Sequence, residues 1–574
     1  MTTPFTWAYL GNQAKTPELL YQLWDLPEGS IVAVDIETVS LDDKTMIGIG
    51  FSPNSSESFY FKADSPQIPW HLLENPHIMK IFHNGHFDIR ILKDLGHSVN
   101  WVVDTIIAAQ LLGYPPALNT LVSELFGVTL ITIEDLLGKR GKNQLKMTDI
   151  PPEKVALKCC NDTIYTYRVW NKILPEVPPK AFLQEMELMP ILMDIETRGM
   201  AIDEDRLTQH KTRIAKEVDY YKNIAYGMGF NPGSSNQVAA VLESRGWGIR
   251  YSRKTGKPIM NKLMLKTYYS EDPISQLTLL YRENKILLST FIEAMEKKHI
   301  HNGRIHGTIN QIATNSGRLS RSKPNLQNIP PVMRDIFIPS PGCEFEAWDL
   351  NQIELRVLAF LVEHYTGDPS MANVYRSSQT ELSDIHTATG RKMTEILGHP
   401  VDRKNAKMAN FLIIYGGDEH TMLQRHQMPL EEGKALLSAY FKTYPGIKIL
   451  MDITNKELES QGYVETLLGR RRYFRTELES GDRYQLLKAQ RAAFNHKIQG
   501  TAGEDFKALQ IRSKDYPQCN TIHDEVIFDK PLGQPLDHTM SEGLSPYYRT
   551  PMEGALGKNW KVLDEDGANI GVWG

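Results

Sequence analysis

The apolar pattern of this chain changes character twice, and no single layer of secondary structure satisfies all three regimes. Residues 31–50 alternate apolar runs with turn signals: Ile31-Val32-Ala33-Val34, then Met46-Ile47-Gly48-Ile49-Gly50, which predict adjacent strands. Helical spacing follows over about residues 84–175, giving an α/β unit of roughly 180 residues. Residues 181–300 predict mostly helix, with long charge-rich amphipathic stretches such as 277–298. A turn-rich segment, residues 317–331, opens a last part that mixes strands and helices. At 574 residues the chain is too long for one core, so two to four domains are expected. No internal repeat or low-complexity tract interrupts this plan.

Composition narrows the class. Hydrophobic residues make up 41% and charged residues 23%, ordinary for a globular protein. No run of about eighteen apolar residues argues for a membrane span. Residues 1–7 lack a basic region followed by an apolar stretch, which argues against secretion. Cys159, Cys160, Cys343 and Cys519 show neither a CxxC pair nor zinc spacing, so a reduced, intracellular chain is expected. The net charge of −5 speaks weakly against nucleic-acid binding. Carboxylates gathered around metal lower the charge, while a local basic groove still tracks phosphates. The motifs therefore decide.

Asp35 and Glu37 stand two apart at the end of the first apolar run. Strand side chains alternate, so both carboxylates point to one face. Two acids on one face repel unless a cation lies between them, and hard divalent ions prefer such oxygens. Taken alone, Asp-x-Glu reads more simply as a strand end meeting solvent. Asn84-Gly85-His86-Phe87-Asp88 leads into a helical run over 89–95, and Asp162 lies in a helical stretch over 153–170. Asp35, Glu37, Asp88 and Asp162 together supply enough carboxylates for a two-metal site of the kind that cleaves phosphodiesters.

The blocks Asp35-Ile36-Glu37-Thr38, Asn84 to Asp88, Val103-Asp104-Thr105 and Asp162 resemble, in order and spacing, the proofreading 3′→5′ exonucleases of RNase H-like fold. That resemblance implies a tyrosine four residues before the last aspartate, to orient the attacking water, but Lys158 stands there. A histidine variant of the family places its imidazole five residues before, where Leu157 stands; Tyr165 and Tyr167 fall on the other side of Asp162. On a helix Lys158 shares a face with Asp162 and points at the expected metals. A protonated lysine cannot accept a hydrogen bond. It would compete with metal for Asp162 or hold the scissile phosphate as a point charge, which predicts a working but weakened exonuclease. The alternative is a local register shift, or a substitute from Tyr165, with Lys158 merely solvated.

Three later segments carry a second constellation. In Trp348-Asp349-Leu350-Asn351-Gln352-Ile353-Glu354-Leu355-Arg356, apolar residues from Leu350 to Leu361 recur at helical spacing, so Asp349 ends a short strand just before a helix. A plain N-cap aspartate has the same look. Arg403, Lys407, Phe411 and Tyr415 follow at intervals of four and form one stripe on a helix, which Gly416-Gly417 ends. Two cations followed by two aromatics suit a nucleoside triphosphate; a solvated cationic turn before a core helix end is the plainer reading of the stripe by itself. In Thr521-Ile522-His523-Asp524-Glu525-Val526-Ile527-Phe528 apolar residues flank an acidic pair, which predicts strand–turn–strand with the acids at the tip, or a polar hairpin turn.

In this order the three segments resemble the active-site motifs of family A DNA polymerases, the bacterial polymerase I type. Ser316-Gly317-Arg318-Leu319-Ser320 and Pro324-Asn325-Leu326-Gln327-Asn328-Ile329-Pro330 resemble the segment entering the palm. Asp384-Ile385-His386 resembles the fingers, Arg491, Asn495 and Gln499-Gly500-Thr501 the template–primer segment, and Asn231-Pro232-Gly233-Ser234-Ser235 part of the thumb. The resemblance implies a mixed α/β fold: an RNase H-like exonuclease domain over 1–180, then a right-hand polymerase. Its thumb is expected over 181–310, its palm with an antiparallel sheet over 311–362 and 455–574, and its helical fingers over 363–454.

The resemblance also implies template-directed synthesis from dNTPs on a primer 3′-OH, with 3′→5′ proofreading. Asp349 and Asp524 would hold two Mg²⁺ ions beside the catalytic Lys407; Asp35, Glu37, Asp88 and Asp162 would hold two more, with Mn²⁺ as a substitute. Arg403, Lys407 and His386 would bind the triphosphate, with Phe411 and Tyr415 against the nucleoside. Glu354 would crowd the sugar 2′ position and exclude ribonucleotides. Arg318 and Gln499 would reach the duplex minor groove, whose acceptors are nearly sequence-independent. Arg491, Asn495 and His523 complete the implied substrate contacts, and Glu525 would lie near the metals without being an essential ligand. Leu412 stands where the family usually has glycine; it favours helix by roughly 1 kcal/mol but adds bulk beside the nucleotide face. The implied partners are primer–template DNA, dNTPs and, in the exonuclease site, single-stranded DNA. The chain is expected to be a monomer in the cytoplasm or nucleoid, of phage, plasmid or bacterial source, away from membranes and without a 5′-nuclease domain. An idle DNA-binding relative, a single-subunit RNA polymerase and a nuclease with a binding-only second half are the competing readings. The carboxylates of both sites, Glu354 with the exonuclease motifs, and Lys407 oppose them in turn.

Overall fold

The structure, a computed structural model, describes residues 6–10, 23–40, 42–141, 143–376, 384–426, 428–561 and 568–573. Residues 1–5, part of the stretch that argues against secretion, lie outside the described residues.

The alternating apolar runs near the N-terminus become a six-stranded sheet: β1 (Thr6–Leu10), β2 (Ile31–Thr38), β3 (Met46–Ser52), β4 (Glu57–Lys62), β5 (Met79–Phe82) and β6 (Val102–Asp104), in the order β1-β4-β3-β2-β5-β6. β2 lies inside it, antiparallel to β3 and parallel to β5. Val32, Val34 and Ile36 enter one buried apolar layer and Ala33 the opposite one. The two-residue period therefore puts Asp35 and Glu37 on the Ala33 side. Helices α1 (Gly85–Asp94), α2 (Thr105–Leu111) and α3 (Pro152–Ile173) follow, and α3 packs against β2, β3 and β4.

Helix α4 (Pro179–Arg198) joins the two halves of the molecule, and the expected division at residue 180 falls at its start. Its Ala181 and Phe182 pack in the Ala33 layer, while Leu188, Leu192 and Ile195 pack with Ile309 and Leu319. The 181–300 stretch is mostly helical, as expected. It includes α5 (Glu204–Gly227) packed on α6 (Pro273–Ile286), which runs through a π-helical turn at Leu287–Ile292 into Glu293–Lys298. The amphipathic stretch expected over 277–298 is thus helical with one widened turn.

A second sheet is wholly antiparallel: β7 (Cys343–Leu350), β8 (Gln518–Ile522), β9 (Glu525–Pro531), β10 (Met552–Gly557) and β11 (Ala568–Trp573), in the order β8-β9-β7-β10-β11. Alternate residues of β7 feed two cores, Phe345 and Ala347 into one, Trp348 and Leu350 into the other. The Trp348 core is built largely from helices α7 (Ile353–Thr366), α8 (Ile385–Leu397), α9 (Arg403–Ile414), α10 (Gly446–Gln461) and α11 (Arg483–Arg512). The mixed α/β class is as the sequence predicts. Among the described residues no helix is long and apolar enough to cross a membrane.

A buried charge cluster ties α4 to the second half. Glu185 on α4 is fully buried and pairs with Lys507 of α11 and with Arg470, and it accepts from Gln311 at 2.6 Å. Burial works against its charge, but Lys507 and Arg470 hold its pKa below the usual value. Glu185→Ala strands two buried cations and is expected to destabilise the protein by about 3–5 kcal/mol. The readout is a fall in unfolding temperature; an unchanged temperature would show the cluster to be energetically idle.

Candidate active sites

The N-terminal carboxylates meet where β2 runs under α3. The Asp104 carboxylate accepts the Asn84 and Gly85 N–H groups at 3.0 and 2.8 Å and the Ile106 N–H at 2.9 Å, holding the start of α1, where Asn84 has φ 72°. So placed, α1 presents Asp88, whose Oδ1 accepts the Ile36 N–H at 3.3 Å, between Asp35 and Glu37. Asp104 therefore positions the site, a role that its short motif did not reveal. Asp35, Glu37 and Cys159 bring one ligand atom each within 4.8 Å of one another. Burial, then Glu37, Asp88 and Asp162, hold the Asp35 pKa well above its usual value despite Lys158. Burial likewise pushes Asp88 up to about 8. Crowded oxygens that resist ionisation for want of a counter-charge are a donor set that suits a hard divalent cation.

Lys158 already supplies part of that charge. Its Nζ lies 2.8 Å from Glu37 Oε1 and 2.8 Å from Asp162 Oδ2, and its side chain is only 9% exposed. Burial opposes the ammonium, but Asp162, Glu37 and Asp35 hold its pKa well above the ordinary value. The alternative of a solvated Lys158 replaced by Tyr165 is overturned. Tyr165 is buried in the Ala33 layer with its ring edge-on to Phe126 at 5.9 Å, and Tyr167 packs against the same layer. Their side of α3 is needed for apolar packing.

The second constellation gathers at the ends of β7 and β9. Asp349 lies next to the end of β7, opposite Glu525 at the start of β9. Asp524 sits in the turn between β8 and β9, where His523 has φ 53° and the Asp524 carbonyl accepts the Leu350 N–H at 3.2 Å. Asp349 is not a helix cap, since Gln352 is the N-cap of α7. On the other side of β7, β10 brings Glu553 opposite Asp349. The sequence reading missed Glu553; it lies far along the chain and no motif surrounds it. Asp349 opens to solvent on one side but protein encloses the rest. That burial, with Asp524 and Glu553, pushes its carboxyl up to about 8.

Arg318 is the counter-charge here. Its guanidinium lies 3.0 Å from both Asp524 oxygens and 2.8 Å from Glu354. Burial raises the Asp524 pKa, and Arg318 offsets this in part. Buried Glu354 in turn accepts from the Tyr415 hydroxyl at 3.3 Å, and Gln499 hydrogen-bonds to both. Arg318, Gln499 and Glu354, separate calls in the sequence, thus form one network with Asp524 and Tyr415.

Tyr415 links this network to α9. The Asp402 side chain caps the helix by accepting the Asn405 N–H at 2.7 Å. Arg403, Lys407 and Phe411 follow along it, with Tyr415 at its C-cap. The Phe411 and Tyr415 rings stack at 6.3 Å, and the exposed Lys407 ammonium lies 5.9 Å from the Phe411 centroid. Arg403 is held by Asp384 at 2.7 Å. His386 differs from the sequence expectation of a third phosphate-facing group: it is 3% exposed, with Nδ1 3.0 Å from Asn410 Nδ2. Burial brings its pKa down to about 4, so the ring is neutral at pH 7.

A cleft of about 960 Å³ is lined by Lys407, Phe411, Tyr415, Arg491 and Asn495, joined by Arg472 and Lys488, which no motif suggested. Asn495 donates to the Ile414 carbonyl at 2.9 Å, and Arg491 packs over Gly416. Leu412 edges this cleft but is mainly buried, with its side chain against Gly417, where a Cβ would collide with it. Most of its bulk goes into the core.

Comparison with known proteins adds an independent line. The family model for DNA polymerase family A matches residues 204–550, and one for 3′–5′ exonuclease matches residues 12–178. DNA polymerase I of Pseudomonas aeruginosa is 27% identical over 93% of this chain and 64% of its own length. DNA polymerase I of Chloroflexus aurantiacus is 31% identical over 85% of this chain and 55% of its own, and the thermostable DNA polymerase I of Thermus aquaticus 33% identical over 69% and 50%. The chain thus spans about half to two thirds of the length of these relatives. A solved structure, the POL domain of Pol1 from M. smegmatis in complex with DNA primer-template and dNTP, matches with TM-score 0.80 at 22% identity. It covers 96% of this chain and all of its own, a likeness of fold.

Proposed function

The chain belongs to DNA polymerase family A, and from that premise we propose that it extends a primer 3′-OH with dNTPs on a template strand and trims 3′ ends at a second site. The observation that carries the reading is the Asp349–Asp524 pair, joined through Arg318, Glu354 and Tyr415 to the cation–aromatic stripe of α9. In this reading the exonuclease occupies 1–180, the thumb 181–310, the palm 311–362 and 455–574, and the fingers 363–454.

Asp349 and Asp524, with Glu553 close by, are an all-oxygen set that fits Mg²⁺, or Mn²⁺ in its place. When bound there, the metal lowers the pKa of the primer hydroxyl and offsets charge on the triphosphate and departing pyrophosphate. Lys407 and Arg403 draw the triphosphate to α9, and Phe411 and Tyr415 take the nucleoside. Arg318, once the Asp524 charge is met otherwise, is free to reach the duplex minor groove with Gln499. Neutral His386 donates a hydrogen bond at most, and its larger part is to back Phe411 at 5.7 Å. Arg491, Asn495 and His523 line the template–primer path. The enzyme acts as a monomer on primer–template DNA in the cytoplasm or nucleoid, with single-stranded DNA entering the exonuclease site.

An end-labelled primer–template with Mg²⁺ tests this directly. With dNTPs the primer lengthens; with none it shortens; with rNTPs alone it does not lengthen. Absence of dNTP-dependent lengthening would remove the polymerase reading.

Glu354 decides sugar selectivity in this account, because the Tyr415 hydroxyl and Gln499 hold its carboxylate when Arg318 turns to the duplex. Glu354→Ala is expected to narrow the dNTP/rNTP ratio of kcat/KM by roughly 10–100-fold. An unchanged ratio would show that the gate lies elsewhere.

A further inference from the structure

The expected pair of ions in the exonuclease site conflicts with the placement of Lys158. Both Glu37 Oε1 and Asp162 Oδ2 already contact its ammonium at 2.8 Å. The contact is packed in from both sides along α3. The adjoining Cys159 is buried with Sγ 3.6 Å from the Asp35 carbonyl, and its sulfur fills the space over Gly50. Thr163, the residue after Asp162, lies 2.7 Å from the Ser58 hydroxyl on β4. Turning α3 to withdraw Lys158 would break these sheet contacts. An ammonium is a compact point charge with three donors and no acceptor, so here it does what a cation does and lacks the accepting oxygen of a water-orienting hydroxyl. Asp35 and Asp88 remain outside that contact, with Asp35 near enough for the ammonium to offset part of its charge.

Resting on the exonuclease reading above, we infer that Lys158 is a tethered cation that replaces one of two metal ions, so that the site binds a single divalent ion at Asp35, with Asp88 and the Glu37 oxygen that Lys158 does not contact beside it. The ammonium holds Glu37 and Asp162 in place and faces the substrate phosphate from the second ion's position. It cannot accept a hydrogen bond or a proton from the attacking water, so activation of that water depends on the one remaining ion.

The count of bound ions tests this. The polymerase site is first disabled by Asp349→Asn with Asp524→Asn. Mn²⁺ is then titrated into the full-length protein with excess deoxythymidine monophosphate, and bound ions are counted by electron paramagnetic resonance. The exonuclease ions are those lost on adding Asp35→Asn. One such ion is expected with Lys158 in place, two in Lys158→Met, and one again in Lys158→Arg, which restores the charge. Two Asp35-dependent ions with Lys158 present would overturn the inference and leave the exonuclease reading standing. A folded Lys158→Met protein that still binds one would also overturn it. No Asp35-dependent ion at all would sink both. Should Lys158→Met fail to fold, the counts in the Lys158 and Lys158→Arg proteins still decide.

Discussion

Asp349→Asn and Asp524→Asn are each expected to slow primer extension by on the order of a thousandfold or more, which is ~4 kcal/mol of barrier. The two carboxylates stand on adjoining elements at the open end of the second sheet, and burial raises the pKa of both. Such a pair is destabilising to the fold by itself; its value lies in the cation it waits for. At Asp349, where Asp524 and Glu553 both press, the substitution should therefore remove activity without lowering the unfolding temperature, whereas at Asp524 the lost Arg318 pair offsets that gain. Duplex binding should persist, because it rests on cations elsewhere, among them Arg472, Lys488 and Arg491 in the cleft. The two positions differ in one respect. Asp524→Asn also takes away one of the two acids that hold Arg318, leaving the guanidinium with Glu354, so it should alter rNTP discrimination, which Asp349→Asn should not. Single-turnover extension, a duplex-binding isotherm and a thermal melt on the same preparations measure all three. Extension within tenfold of the unsubstituted rate in either variant would remove both residues from the catalytic centre.

What could be read from the sequence was what a short repeat period imposes. The alternation of β2 by itself places Asp35 and Glu37 on one face, because a strand leaves no other choice. The interval of four did the same for Arg403, Lys407, Phe411 and Tyr415 on α9. Residues brought in by tertiary pairing were not legible. Glu553 faces Asp349 only because β10 is hydrogen-bonded beside β7. Arg318 is given its partners by the turn between β8 and β9 and the start of α7. The phosphate role of His386 rests on the resemblance of its segment alone, and a resemblance does not say whether that helix face is turned to a cleft or, as here, to the core. Glu185 looked like any helical glutamate, yet its two cations come from Arg470 and from α11, far along the chain. Lys158 lies between these cases. Helical periodicity gave its pairing with Asp162, but its second contact, Glu37, required the packing of α3 on β2.

Asp35→Ala combined with Glu37→Ala is expected to lower 3′→5′ degradation of single-stranded DNA by on the order of a hundredfold or more, at least ~2.7 kcal/mol, while extension with dNTPs stays within about twofold. The separation follows from the architecture: Asp35 and Glu37 sit in the six-stranded sheet, Asp349 in the antiparallel one with Asp524 in its β8–β9 turn, and among the described residues no strand is shared. The double substitution removes two of the four acids and leaves Lys158 with Asp162 alone. The ammonium then has no second anion to hold it in place, so even its positioning of a phosphate should fail. The remaining Asp88 keeps its hydrogen bond from the Ile36 N–H, a main-chain group that both substitutions spare, so the sheet and α1 should stay assembled. A primer with a mismatched 3′ end sharpens the measurement. The parent protein should trim the mismatch before extending, and the variant should stall at it or extend it untrimmed. Single-turnover excision from single strands, beside extension from a matched primer, gives both rates on one preparation. Trimming that continues at the parent rate would place the nuclease chemistry outside these carboxylates, and a matching loss of extension would mean that the two sheets do not act independently.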